Sequence, residues 1–233
     1  MKAVVISNKQ DAYNVKILRI KPEKHIDFKS GQFIFMHYNL VNNGVSRVVK
    51  RAYSVTSLPY NKDYIELAFY MKPDGLVSKY MYSLKKGNVV EISGPGGFFM
   101  FEDSVKDNLI LIGGGTGIAP LISIIRYVID KKFPNKLKLI YSCKTSKNII
   151  YKKELDNLKK LSKNFDYTIT LSREEKKDYL NGHINIDMVK SLVKDINKNK
   201  FYICGPPKMV IDMSEMLQEA GIPKENIKTE GYS

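Results

Sequence analysis

The chain has 233 residues, of which 43% are hydrophobic, enough to bury one large core or two modest ones. Its two cysteines are too few to ligate an iron–sulfur cluster, which excludes a cluster held by this chain alone. The net charge of +14 favours acidic partners, although lysines spread over solvated faces would give the same value.

The lysines are dispersed and no recognised nucleic-acid motif accompanies them, so nucleic-acid binding is not expected. No long apolar signal segment begins the chain, and a disulfide between Cys143 and Cys204 is not expected. The longest apolar stretch, residues 109–129, contains glycines near its start, Pro120 and Arg126, which indicates strand–turn–helix rather than a membrane span. The sequence therefore predicts a cytoplasmic protein without membrane insertion.

The first hundred residues alternate apolar and polar side chains with a period of two. This pattern predicts half-buried strands at residues 15–20, 33–38 and 64–70, separated by turns rich in glycine, asparagine and lysine. A short helix is predicted at residues 76–84. Many short strands with turn signals between them are typical of a closed antiparallel β-barrel.

The pattern changes near Glu102, where apolar strand-like runs begin to alternate with helical ones. This alternation predicts a parallel sheet with crossover helices. The polar segment 102–108 is the predicted boundary, which gives domains of residues 1–103 and 104–233. The predicted strands are 109–112, 137–141, 167–171 and 201–204, and the predicted helices are 118–130, 151–161, 186–196 and 209–220.

The stretch Arg51-Ala52-Tyr53-Ser54 lies on a predicted strand, whose alternation places Arg51 and Tyr53 on one face. Arginine offers phosphate a bidentate fork and tyrosine offers a flat stacking surface. The stretch therefore suits a cofactor that combines phosphates with a flat ring. By themselves, the four residues fit an edge strand with an ordinary exposed arginine equally well.

Three further segments suit anionic ligands or a site at a strand end. Gly75, Leu76, Val77 and Ser78 open the short predicted helix, where free N–H groups and a hydroxyl favour an anion. The predicted strand 109–112 is followed by the segment Gly113-Gly114-Gly115-Thr116-Gly117-Ile118-Ala119-Pro120. Its glycines would let the backbone approach a pyrophosphate. A strand-end cysteine is more often inert packing, but here it lies in the strand-to-helix context Cys204-Gly205-Pro206-Pro207.

The ordinary dinucleotide fingerprint is not satisfied. Ile118 stands where the third glycine would be, and no acidic residue ends the second parallel strand. The glycine segment is instead similar to the Gly-Gly-x-Gly-x-Ala-Pro type of the ferredoxin–NADP reductase family. With the other motifs in this order, the whole chain resembles that family, to its ending Glu230-Gly231-Tyr232-Ser233.

The resemblance implies an N-terminal antiparallel Greek-key β-barrel that binds a flavin, followed by a parallel α/β domain that binds NAD(P)H. It assigns Arg51 to the flavin phosphates, Tyr53 to ring stacking and Ser54 to the ring edge near N5. The pyrophosphate would lie at the helix start formed by Gly75, Leu76, Val77 and Ser78. The loop 94–99 would close the domain, with its aromatic residues on the adenine or in the core. The resemblance favours FAD over FMN.

In the second domain, the resemblance assigns Gly114, Gly115, Thr116 and Gly117 to the nucleotide pyrophosphate. Ser172 and Arg173 follow the third parallel strand, where NADP-using members hold the 2′-phosphate, although such a pair is also a common solvated loop start. His183 and Asn185 stand where further basic and aromatic contacts would fall. NADPH or NADH is therefore the expected substrate, with a modest preference for NADPH.

Four residues are the predicted catalytic set. The resemblance places Cys204, with Gly205 and Pro206, beside the nicotinamide, and Tyr232 over the flavin face. Glu230 would contribute polarity or proton transfer near Ser54 and Cys204. No metal is expected, because the three histidines have no metal-ligand spacing.

The electron acceptor cannot be deduced from the sequence. The resemblance and the positive charge favour an acidic ferredoxin or flavodoxin, and free flavin, ferric chelates or a small quinone stay open. One alternative is an electron-transfer subunit of a larger complex. The partner subunit of dihydroorotate dehydrogenase has this two-domain body, but its cysteine cluster is missing here. Another is a nucleotide sensor without turnover.

Overall fold

The computed structural model describes residues 1–42 and 45–232, in two six-stranded sheets with helices. The first sheet is antiparallel, as the alternating pattern predicts. The three strands predicted there are confirmed; two of them extend further than predicted, and the third begins one residue later. The strands are β1 (Lys2–Ala12), β2 (Val15–Pro22), β3 (Phe33–Asn42), β4 (Val45–Ser54), β5 (Ile65–Tyr70) and β6 (Val89–Gly96).

The strand order β4-β3-β6-β1-β2-β5 brings β6 back to pair with β1, as a Greek key requires. The two edges then meet, because Val55 pairs with Leu67 and the Thr56 N–H donates to the Glu66 carbonyl over 2.8 Å. The sheet is therefore barrel-like. Alternate side chains fill its interior, among them Leu18 and Ile34. Helix α1 (Leu76–Ser83) follows β5.

The second sheet is parallel, with the order β10-β9-β8-β7-β11-β12. Its strands are β7 (Asn108–Gly114), β8 (Leu137–Cys143), β9 (Phe165–Leu171), β10 (Leu180–Asn181), β11 (Asn199–Gly205) and β12 (Ile227–Gly231). Its helices are α2 (Ile118–Asp130), α3 (Lys152–Leu161), α4 (Ile186–Leu192) and α5 (Pro207–Glu219). The four predicted strands and the bounds of α2 are confirmed, whereas β10 and β12 were not predicted.

Two predicted helix bounds were wrong by two residues or more, and three others were wrong by one residue. Helix α4 ends at Leu192 rather than Ile196, because Val193 is extended and Asp195 has a φ of 47°. The Asn199 amide donates to the Asp195 carbonyl over 2.8 Å and holds this turn. Helix α5 begins at Pro207 rather than Met209, since proline suits the first helical position.

The two sheets share a hydrophobic interface. The ring of Phe99, just after β6, packs edge-on against Tyr202 of β11 with centroids 5.5 Å apart. The boundary between residues 103 and 104 stays a prediction; it falls between the end of β6 and the start of β7. Among the described residues, no helix has both the length and the apolar character needed to cross a membrane.

Candidate active site

The parallel sheet reverses its strand order between β7 and β11. The chain runs from β7 outward through β8 and β9 and then returns to place β11 on the other side. In open α/β sheets, ligands bind in the crevice at the carboxyl ends of the strands at such a point. Two predicted segments lie there, the glycines after β7 and the residues Gly205 and Pro206 at the end of β11.

The glycines allow an approach that no side chain would permit. A Cβ added to Gly117 would lie 2.0 Å from the Cys204 carbonyl oxygen, and one added to Gly114 would lie 2.6 Å from Met209 Sδ. A Cβ at Gly205 would lie 3.2 Å from the Gly114 backbone. At Gly115, with a φ of +55°, an added Cβ would meet nothing within 4 Å. This open backbone and the uncapped start of α2 fit a pyrophosphate.

Three of the four predicted catalytic residues contact one another across the two sheets. Ser54 Oγ at the end of β4 lies 3.0 Å from the Tyr232 hydroxyl, although the two residues are 178 positions apart. Tyr232 also lies close to Cys204, since its N–H donates to the carbonyl of the adjacent Gly205 over 3.0 Å. Burial raises the pKa of Cys204, so the thiol stays protonated near neutral pH.

Glu230 is the fourth member of this group. It lies on β12 in register with Cys204, and a Cβ added to Gly97 would lie 4.0 Å from its Oε1 atom. Burial raises the pKa of the Glu230 carboxyl to about 7. Its Oε2 atom is buried without a hydrogen-bond partner. A buried carboxylate oxygen without a partner fits a site that receives a polar ligand group.

On the flavin side, Arg51 is exposed and donates from Nη1 to the Lys50 carbonyl over 2.9 Å. Tyr53 is half-buried and meets the Phe69 ring edge-on at 6.3 Å. Burial raises the pKa of Tyr53 to about 12 in spite of the nearby Arg51 cation. The two side chains therefore lie near each other, as the strand alternation predicts, and their roles toward a flavin stay predictions.

The helix start at Gly75 engages the Ser78 side chain within its own turn, and its role toward a pyrophosphate stays a prediction. The Ser78 hydroxyl is buried, donates its proton to the Gly75 carbonyl at 3.2 Å and accepts the Lys72 N–H at 3.1 Å. Its single proton is thus used within the turn. The N–H groups of Leu76 and Val77 are then the donors of this helix start that suit an anion.

The predicted 2′-phosphate residues lie at the carboxyl end of β9. Arg173 is exposed, and its backbone N–H donates to the Lys144 carbonyl over 2.9 Å. The half-buried Ser172 directs its hydroxyl to the Cys143 carbonyl at 3.4 Å. Asn185 caps α4 by accepting the Met188 N–H at 2.8 Å, so its side-chain oxygen is already engaged. Of the predicted 2′-phosphate residues Ser172 and Arg173, the Arg173 guanidinium is therefore the group that is exposed to a ligand.

The loop 94–99 separates its two aromatic residues. Phe99 is buried against Tyr202, which supports its alternative role in the core. Phe98 is 91% exposed next to Gly97, on the loop that borders Glu230. The Gly97 carbonyl accepts the Gln32 amide at 3.1 Å and fixes this loop to the barrel.

Sequence reasoning missed a buried polar cluster between the two sheets. Arg126 of α2 contacts Glu66 of β5 and Glu154 of α3, and Thr56 and Tyr151 complete the group. The available signal was a charged residue inside the apolar stretch 109–129 and another inside the strand 64–70. Neither charge reveals its partner in the sequence.

Two family profiles cover most of the chain. The profile of the oxidoreductase FAD-binding domain matches residues 2–101, and that of the oxidoreductase NAD-binding domain matches residues 111–215. Among the solved structures, a ferredoxin NADP+ reductase from Neisseria gonorrhoeae with bound FAD and NADP superposes with a TM-score of 0.85 at 23% identity, over 99% of this chain and 98% of that one.

The curated relatives are longer proteins. The chain is 27% identical to a flavohemoprotein of Bacillus subtilis, over 97% of its own length and 58% of that protein. It is 29% identical to NADH-cytochrome b5 reductase 1 of Pyricularia oryzae, over 91% of this chain and 72% of that protein. It spans between 50% and 66% of the first four relatives, three of which are subunits of Na(+)-translocating NADH-quinone reductases.

The fold, the candidate site and these matches all indicate the same family. The chain belongs to the ferredoxin–NADP reductase-like family of oxidoreductases, which bind FAD and NAD(P)H. The glycine cradle suits the nucleotide pyrophosphate, and the orphaned Glu230 oxygen suits a polar group of a ligand. Within residues 1–42 and 45–232, no group of three or more histidine, cysteine or acidic side chains could hold a metal ion.

Proposed function

We propose that the protein is a reductase that takes a hydride from NAD(P)H onto FAD and passes electrons to an acidic carrier protein such as ferredoxin or flavodoxin. The observation that carries the proposal is the group Ser54, Cys204, Glu230 and Tyr232. Two sheets contribute its members, and they meet where the flavin and nucleotide halves join. We also propose residues 1–103 as the flavin domain and 104–233 as the nucleotide domain.

When bound, NAD(P)H supplies two electrons and a proton as hydride from C4, and FAD accepts it at N5. The residues of the chain orient this exchange. Ser54 would offer a hydroxyl to the flavin edge, and the protonated Cys204 thiol would position the nicotinamide. The Tyr232 hydroxyl holds Ser54 in place over 3.0 Å, and its ring would cover the flavin. Glu230 holds a proton up to about pH 7.

The direct test is anaerobic mixing of the yellow, FAD-loaded protein with NADPH or NADH in a stopped-flow spectrometer. We expect the flavin absorbance to bleach with either nucleotide. A protein that binds no flavin, or a bound flavin that neither nucleotide reduces, would refute the proposed reductase and favour the nucleotide sensor.

The nucleotide preference depends on Arg173. We expect NADPH to be preferred by a modest factor, because this exposed guanidinium offers the 2′-phosphate a fork. Arg173→Ala should raise the Michaelis constant for NADPH by roughly tenfold to a hundredfold, as for loss of a charged hydrogen bond, and leave that for NADH nearly unchanged. The parallel substitution of the exposed Lys163 to alanine is the control.

Equal effects of Arg173→Ala on both nucleotides would contradict a role in reading the 2′-phosphate. A parent protein that prefers NADH would contradict the predicted preference. The relatives differ here, since the names of the quinone reductase subunits and of the cytochrome b5 reductase state NADH, whereas the Neisseria structure holds NADP.

The choice of acceptor is supported by charge and by one side chain. The net charge of +14 attracts an acidic protein, and Phe98 presents an aromatic ring to solvent beside the site. Exposed aromatic residues are frequent anchors in protein interfaces. The relatives' names refer to a quinone and to cytochrome b5, so the acceptor varies within the family.

We expect Phe98→Ser to raise the Michaelis constant for oxidised ferredoxin or flavodoxin roughly tenfold, and added salt to lower kcat/KM for that acceptor steeply. Val48→Ser, which removes another exposed apolar side chain on β4, is the control. Slower reduction of the flavin by nucleotide in Phe98→Ser would instead place this ring in the nucleotide path. A salt-independent rate with a free flavin or quinone would favour a small acceptor.

The second candidate is an electron-transfer subunit of a larger assembly. It is favoured by the length of the relatives, of which this chain spans about half to two thirds. Purification of the chain from its native cells should decide between the two. A stoichiometric second polypeptide that accepts the electrons would support the subunit, and turnover with a carrier protein by the chain alone would support the free-standing reductase.

A further inference from the structure

A buried polar group, which we name the Arg126 cluster, connects the two sheets. Its members come from four elements or the segments beside them. They are Thr56 just after β4, Glu66 on β5, Arg126 on α2, Tyr151 before α3 and Glu154 on α3. The first two belong to the barrel and the other three to the parallel half, so every contact between these sets ties one half to the other.

The guanidinium of Arg126 is nearly saturated with hydrogen bonds. Its Nη1 atom donates to Glu66 Oε1 over 2.8 Å and to the Thr56 carbonyl over 2.6 Å. Its Nε and Nη2 atoms donate to the two Glu154 carboxylate oxygens over 2.6 and 2.7 Å. A planar fork that is held by two carboxylates and a carbonyl has a single orientation.

These charged side chains are buried, so the loss of either partner would leave an unpaired charge away from water. The Glu66 side chain is 2% exposed and that of Arg126 is 15% exposed. Burial alone would raise the pKa of Glu66, but Arg126 and Arg19 outweigh it and hold the pKa below its usual value. The Tyr151 hydroxyl lies 3.0 Å from both Glu66 Oε1 and Thr56 Oγ1 and closes the group. Such satisfied buried networks specify geometry more than they add stability.

The cluster lies on the two elements that support the candidate active site. Thr56 follows Ser54 by two residues on the same segment. Arg126 follows Ile118, the first residue of α2, by eight residues, which corresponds to about 12 Å along the helix. The helix starts at the glycine cradle. Arg126 thus connects the strand end that carries Ser54 to the helix whose start fits the nucleotide pyrophosphate.

We propose that Arg126 is a positioning residue for hydride transfer, which fixes the separation between the flavin edge and the nucleotide cradle. This inference rests on the proposed reductase function. A misplacement of about 1 Å between reacting groups lowers a rate by up to about a hundredfold. The two halves need no large movement for the Arg126 cluster to affect the rate.

The test compares Arg126→Lys, which keeps the charge but loses the fork, with Glu154→Gln, which keeps the Arg126–Glu66 contact. Tyr60→Phe is the matched control, because the Tyr60 hydroxyl donates to Asp130 across the same two halves at an exposed edge. Each FAD-loaded protein is measured for flavin content, nucleotide dissociation constant and limiting rate of anaerobic flavin reduction. Amide hydrogen exchange is followed without nucleotide.

In Arg126→Lys, we expect the limiting rate to fall by roughly tenfold to a hundredfold. Flavin content should stay at the parent level, and the nucleotide dissociation constant should change by less than about threefold, since each ligand binds within one half. Exchange at residues 54–57 and 115–120 should accelerate together. Glu154→Gln should show the same changes to a smaller extent, and Tyr60→Phe should match the parent.

A parent-like limiting rate per bound flavin in both variants would overturn the inference, even if their melting temperatures fell, because the cluster would then be structural only. Loss of flavin or of nucleotide affinity as the main effect would also overturn it. A parent protein that neither nucleotide reduces would refute the proposed reductase, and with it this role. If Arg126→Lys does not fold, the milder Glu154→Gln decides by the same criteria.

Discussion

Replacing Gly117 with alanine is expected to abolish nucleotide-dependent reduction of the flavin while FAD stays bound. Gly117 has a φ of −60°, so its conformation suits any residue, and the obstacle is space. The new methyl group would lie 2.0 Å from the Cys204 carbonyl oxygen, which must then move by about 1 Å or more to reach an ordinary contact. That shift would separate the start of α2 from the end of β11.

We expect the limiting rate of reduction to fall by at least about a hundredfold, and the free energy of unfolding to fall by about 3 kcal/mol. Stopped-flow reduction and thermal unfolding measure the two effects. Gly221→Ala is the control outside the nucleotide cradle, because its Cβ would meet nothing within 4 Å and only the φ of +89° opposes it. This substitution should lower the free energy of unfolding by about 1 kcal/mol and leave the rate of reduction unchanged. Similar losses in both variants would show that crowding against Cys204 is not the cause.

Replacing Glu230 with glutamine is expected to change how both activity and stability depend on pH. Burial raises the pKa of the carboxyl in the folded protein to about 7, from 4.5 in the unfolded chain. Between these values, the folded protein holds a proton that the unfolded chain releases, so the free energy of unfolding decreases as pH rises from 4.5 to 7. Above pH 7 this loss is complete and constant.

The loss would reach about 3 kcal/mol for a fully buried carboxyl, and solvent reduces it to about 1–2 kcal/mol for this half-buried one. Glu230→Gln removes this dependence, so its stability relative to the parent should rise by that amount between pH 4.5 and pH 8. Denaturant unfolding at several pH values measures it. The exposed Glu225→Gln is the control.

The same substitution should change how flavin reduction depends on pH. Hydride transfer brings its own hydrogen to the flavin, so Glu230 affects this step through its charge and not by donating a proton. The parent rate should fall as pH rises through about 7, because the carboxylate formed there would oppose the negative charge that the flavin gains. The rate of Glu230→Gln should be flat in this range. A parent profile without this inflection, or a variant that keeps it, would show that the charge of Glu230 does not affect flavin reduction.

Helices and strands with a strong local sequence pattern were predicted correctly. Helix α2 runs from Ile118 to Asp130 as predicted, because the glycine run before it and its apolar character both act within a few residues. The pairing-dependent element β12 was not predicted. Its sequence, residues 227–231, is mostly polar, and its strand conformation arises from hydrogen bonds to β11. Pairing between distant segments leaves no periodic signal in a short polar strand.

The family motifs in the sequence were enough to name Ser54, Cys204, Glu230 and Tyr232, but not to bring them together. Their contacts depend on how the barrel docks against the parallel sheet, and 178 positions separate Ser54 from Tyr232. Docking also sets the unusual pKa of Glu230, because burial is a property of the assembled halves. Composition and spacing contain no measure of that burial.

Arg126 shows most clearly the difference between what the sequence determines and what the tertiary structure decides. In the sequence it is a charge that interrupts an apolar stretch, which argues against a membrane span and nothing more. Its partners Glu66 and Glu154 lie 60 and 28 positions away, on different elements. The sequence by itself determined most of the elements, the cofactor motifs and the family. Only the tertiary structure decided which charges meet, because a buried ion pair forms when separate elements remove both groups from water together.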